Sequence, residues 1–165
     1  MKSFDEIIAV LQSRADCHFR PATSLPLVPS DLRLPPDVVS FYQRFGEGRL
    51  FTEDGDDPPC HLLPPDKFVQ VGLAMLGEAT TTGVERSWYA LADVRDGNFL
   101  AIDLLPTQLG RVYDCFHETY GEPGYCNVIA LSFTELLNRL ADAEGQPYWL
   151  DEDFGGYGDA YGDGD

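Results

Sequence analysis

Between Trp88 and Leu104 the chain spells out a β-hairpin, and a hairpin this explicit commits the residues around it to an antiparallel sheet. Trp88 to Val94 is an aromatic and apolar run, and Phe99 to Leu104 is a second. Asp96-Gly97 between them accepts the two positive φ angles of a type I′ turn. Val112-Tyr113-Asp114-Cys115-Phe116 then follows Gly110, and Val128-Ile129-Ala130 follows a glycine-containing loop. These short links extend the hairpin into a meander, because only antiparallel neighbours can be joined so briefly. Phe99 to Leu104 would have a strand on either side, which predicts Leu100 or Ile102 in the core.

Helical signals stand on both sides of the meander. Ser3 followed by Glu6 forms a capping box, with Phe4, Ile7, Ile8 and Leu11 on one face, and this helix should end near Arg14. Pro21, Pro26, Pro29, Pro35 and Pro36 exclude a regular helix through most of the connection that follows, which reads as an arm laid over a surface. A second helix starts at Pro36-Asp37, repeats Val38, Phe41, Tyr42 and Phe45, and should stop at Gly46, so two helices are expected before any strand. Pro65 to Gly77 fits neither period, and Gly72 weakens a helix there; the expectation is a turn and a short strand. Ser132-Phe133-Thr134-Glu135 opens a C-terminal helix with Phe133, Leu136, Leu137 and Leu140 on one face. The pattern predicts an α+β fold, a single domain over residues 1–165 with a mainly antiparallel sheet flanked by two N-terminal helices and one C-terminal helix. The glycine-rich tail carries Phe154, Tyr157 and Tyr161, which frayed ends normally lack, and is expected to pack as far as Tyr161.

Charge narrows the function. Eleven Lys and Arg stand against 28 Asp and Glu in 165 residues, a formal net charge of −17. Such a chain repels phosphate backbones and anionic lipid, so nucleic acid and membrane are poor partners, and the charge leaves open a cationic partner, a metal or nothing beyond solubility. No apolar run reaches the roughly 20 residues of a spanning helix. Met1-Lys2-Ser3-Phe4-Asp5-Glu6 places acids where a secretion signal needs bases, so a cytoplasmic location is expected. Cys17, Cys60, Cys115 and Cys126 form no CxxC pair and read as buried small side chains rather than metal ligands.

Catalytic constellations are weak. No Gly-x-Ser-x-Gly elbow exists, and His18, His61 and His117 lie in dissimilar settings. A Cys115 or Cys126 nucleophile with His117 would be blunted by burial and, at Cys115, by the neighbouring Asp114. Asp114, His117 and Glu118 could converge on a metal, and Asp54, Asp56 and Asp57 on calcium, but Asp57-Pro58-Pro59 breaks the calcium-loop register. No phosphate-binding glycine loop follows a strand. No cofactor is expected, and a binding protein is the leading class.

The ordered segments carry a resemblance. Leu34-Pro35-Pro36-Asp37-Val38-Val39-Ser40-Phe41-Tyr42 with Gly46, then Trp88 to Ala92, Gly97 to Leu104, Gly110 to Asp114, Ile129 to Leu137 and the end Tyr148 to Tyr161 are similar to the Smi/Knr-type cell-wall-regulator family, the SUKH superfamily. The likeness covers about residues 30–161. It implies an α+β fold with no shared catalytic residues to carry over. It also implies an immunity protein that neutralises a toxin, often a nuclease, in the manner of bacterial members, or a regulator of cell-wall synthesis in the manner of fungal ones. A basic toxin domain would suit the acidity of this chain. Glu53, Asp54, Asp56 and Asp57, held out of the core by Gly55, Pro58 and Pro59, are the residues expected to steer such a partner.

Overall fold

The computed structural model describes residues 1–53 and 57–162. Its described residues form one seven-stranded antiparallel sheet in which spatial order follows chain order. The strands are β1 (His18–Pro21), β2 (Phe45–Leu50), β3 (Cys60–Leu62), β4 (Trp88–Asp93), β5 (Phe99–Asp103), β6 (Val112–Cys115) and β7 (Val128–Ala130). The helices are α1 (Phe4–Ser13), α2 (Pro36–Arg44), α3 (Val71–Leu76) and α4 (Phe133–Asp142). The α+β reading and its antiparallel meander therefore hold.

Local chemistry sets most of these boundaries. The α1 capping box is complete, with Ser3 N–H donating to Glu6 Oε2 at 2.7 Å and Glu6 N–H to Ser3 Oγ at 3.3 Å. In α4 the Ser132 hydroxyl accepts from Glu135 N–H at 3.0 Å, while Glu135 Oε2 reaches one residue further back, to Leu131 N–H at 2.7 Å. Between β4 and β5, Asn98 N–H closes on the Arg95 carbonyl at 2.9 Å, with Asp96 and Gly97 at φ 56° and 78°. That is the type I′ geometry the sequence asks for.

The sheet has two faces because side chains alternate along each strand. Leu100, Ile102 and Val112 pack under α1, α2 and α4 in the larger core, with Phe41 and Phe133 edge to face at 5.5 Å. Ala101, Tyr113, Cys115 and Val128 point the other way, onto Val71 of α3, Trp88 and the chain terminus. Asp37 joins the two helices above the sheet, its Oδ2 accepting from Thr134 N–H and Oγ1, each at 2.9 Å.

Three expectations are corrected. A strand, β1, precedes α2, paired with β2 from His18↔Arg49 to Pro21↔Phe45. Residues 65–77 fold into a 3-10 turn (Pro65–Lys67) and α3, because the Gln70 side chain accepts from Leu73 N–H at 3.3 Å and caps the helix start. Gly46 is not a helix stop. It lies in β2, where a Cβ would stand 2.7 Å from the Pro21 carbonyl oxygen, so the pairing with β1 demands glycine there.

The tail packs as its aromatics suggest. Val128 N–H donates to the Gly158 carbonyl at 2.9 Å, Ala160 N–H to the Cys126 carbonyl at 2.7 Å, and the Tyr161 ring sits 5.2 Å from that of Trp88. This segment covers the β7 edge, whose backbone groups would otherwise be open to pairing with another chain.

Candidate functional site

The β2–β3 connection leaves the core through an anchored root. Phe51, buried at φ 58°, lies under the Arg14 guanidinium, 4.8 Å from its ring centroid. Thr52 N–H and Oγ1 donate to the Asp16 carbonyl at 2.8 and 3.2 Å. Gly145 makes room for Phe51, since a Cβ there would meet the ring at 2.5 Å. Beyond this root Glu53 is exposed, and Asp57 is exposed on the returning limb. Asp54 and Asp56 lie outside the described residues.

The loop does not stand alone. Arg95 Nε, on the β4–β5 turn, donates to the Asp57 carbonyl at 3.0 Å, tying that turn to the returning limb of the β2–β3 connection. Between them opens a polar cleft of about 470 Å³ lined by Arg49, Asp57, His61, Asp93, Arg95 and Asp96. At its inner end His61 Nε2 meets Glu47 Oε2 at 2.5 Å, and Glu47 also receives Arg20 Nε at 2.9 Å. Acids and bases thus alternate over this part of the surface, and Asp57, one of the acids expected to steer a partner, shares it with Arg49 and Arg95.

Across Arg95 lies a second opening of about 560 Å³, between the β4–β5 turn and the chain that follows α4. Val94, Phe116, Trp149 and Leu150 supply apolar wall, and Asp114 lies inside it. Burial pushes the Asp114 carboxyl up to about 6, since the groove removes water that would solvate the charge. The sequence does carry a signal for this acid, because Val112-x-Asp114 puts it on the same strand face as a core valine. Only the register, Leu100↔Asp114 beside Ile102↔Val112, shows that this face is the one under the helices.

Other titratable groups are committed to structure. Asp103 is buried and accepts from Ser87 Oγ at 2.8 Å, Leu105 N–H at 3.0 Å and Tyr113 Oη at 2.5 Å. The four cysteines are free and buried, and the Cys115 thiol is pushed well up by its contact with Cys126 and by burial. His117 turns its Nδ1 to Asn98 Oδ1 at 2.8 Å, and among the described residues no three His, Cys, Asp or Glu side chains converge on a metal position. No described helix is long and apolar enough to cross a membrane.

The SMI1 / KNR4 family (SUKH-1) matches residues 30–139. "Immunity protein YokJ" of Bacillus subtilis (strain 168) is 33% identical over 160 residues, covering 96% of each chain. No solved structure is significantly similar.

Proposed function

The chain belongs to the SMI1 / KNR4 family (SUKH-1), and on that premise we propose that it is an immunity protein that neutralises a toxin by stoichiometric binding in the cytoplasm. Proteins of this kind bind and do not catalyse. The observation that carries the reading is the similarity, over 96% of both chains, to a relative named as an immunity protein. The net charge of −17 says what kind of toxin fits: a cationic domain, of which a nuclease with a phosphate-binding groove is the natural example. Magnitudes of about 2 to 8 suffice for solubility of a small domain, so the excess favours attraction of a partner. Four buried free thiols suit a reducing compartment.

The test is protection. A toxin domain encoded beside this gene, expressed from an inducible promoter, should arrest growth, and co-expression of this protein should restore it. The purified pair should elute as one complex. Growth arrest that persists despite soluble co-expressed protein would overturn the immunity reading and favour a regulatory role of the same fold.

A further inference from the structure

Asp114 is an acid in a position built for an apolar side chain. Its strand neighbour Leu100 and the adjacent pair Ile102 and Val112 are fully buried on the same sheet face. Among the described residues no hydrogen bond or ion pair reaches its carboxylate. Arg95, which lines the same opening, sends Nε to the Asp57 carbonyl, and His117 is turned to Asn98. Desolvating a carboxylate without a partner is costly, and the groove around it stays open where collapse would have excluded it. Its rim leaves Leu150 68% exposed and Phe116 37% exposed, so apolar surface and a lone acid face the same opening.

We propose that this groove receives an arginine side chain of the partner protein, its guanidinium on the Asp114 carboxylate and its methylene stem along Phe116, Trp149 and Leu150. Charge complementarity fixes the occupant. An apolar anchor would leave the carboxylate buried and unpaired, whereas a guanidinium satisfies both oxygens and lies flat on an aromatic face. Arginine set in a desolvated pocket is also a frequent source of interface energy. The assignment rests on the binding reading above and deepens it: the general acidity draws a basic protein in, and this groove holds it.

The experiment uses the full-length protein and defined peptides. Titration of ¹⁵N-labelled protein with Ac-Leu-Arg-Leu-NH₂ should give saturable shifts centred on Asp114, Phe116, Trp149 and Leu150. The neutral isostere Ac-Leu-citrulline-Leu-NH₂ should bind at least ~10-fold more weakly, and Asp114→Asn should weaken the arginine peptide by a similar factor while its spectrum stays that of the folded protein. Glu53→Gln, a control for general surface charge, should leave the groove shifts in place. Shifts spread over the acidic surface, shifts unchanged by Asp114→Asn, or no saturation at the groove would each overturn the assignment. Failure of toxin protection with intact peptide binding would remove the immunity reading alone.

Discussion

At the scale of single residues, the acids of the sheet drawn out of water, buried Asp103 and half-buried Asp114, are of two kinds. Asp103 is satisfied by three donors that lock β5 to β6 and to the turn that enters β4. Asp114 has a raised carboxyl and no such donors, so it should weaken the fold once ionised. Its folded value of about 6 lies above the unfolded one of roughly 3.9. Between those pH values the folded state holds a proton that the unfolded state has lost, so stability falls as pH rises through the window. Above it the cost is constant, on the order of 1–3 kcal/mol given partial solvation. Asp114→Asn should therefore match the wild type near pH 4 and exceed it at pH 7 by that amount in urea denaturation. An equal difference at both pH values would show that Asp114 does not titrate in the groove.

At the scale of elements, the β4–β5 turn and the returning limb of the β2–β3 connection form one surface. The β2–β3 connection is rooted by Phe51 and Thr52 and carries Glu53 and Asp57 into solvent, while the β4–β5 turn brings Arg95 onto it. Exposed charges at a rim mainly govern association rate. Replacing Glu53, Asp54, Asp56 and Asp57 by Gln and Asn should slow association with a cationic toxin domain by about 10-fold at low salt and flatten its ionic-strength dependence, with dissociation little changed. Stopped-flow association at several salt concentrations reads both quantities. An unchanged rate and slope would move the docking surface away from this loop. The fold itself should be unaffected, because the backbone contacts of Thr52 and Asp57 do not depend on the carboxylates.

For the whole molecule, the terminus is part of the sheet's support. Residues 158–161 bond along Cys126 and Val128 and place Tyr161 on Trp88, beneath the face opposite α1, α2 and α4. Truncation after Tyr157 should lower stability by roughly 2 kcal/mol or more, the value of one buried aromatic with its backbone pairing. It should also speed amide exchange at Val128 while leaving that of Leu100 unaltered under conditions that favour the native state. An unchanged urea midpoint would mean that the terminus only rests against the sheet.

What the sequence determined by itself is what neighbouring residues decide between them. Ser3 with Glu6, Ser132 with Glu135, Pro36 at a helix start and Asp96-Gly97 at a turn each act over a few residues, and each appears where the residues put it. Glu53 and Asp57 are exposed, as acids beside prolines and glycine suggest, while Asp54 and Asp56 lie outside the described residues. Tertiary structure decided what depends on distant partners. His18–Pro21 is a strand only because β2 offers it hydrogen bonds, and Gly46 is needed because the Pro21 carbonyl passes so close. Residues 71–76 are a helix because Gln70 caps them and Val71 finds the core around Trp88. Asp114 belongs to the same class. Alternation along β6 puts it on one face with Val112, but whether that face meets helices, water or a groove is settled by α4 and the chain after it, across long-range contacts that leave no mark on the local pattern.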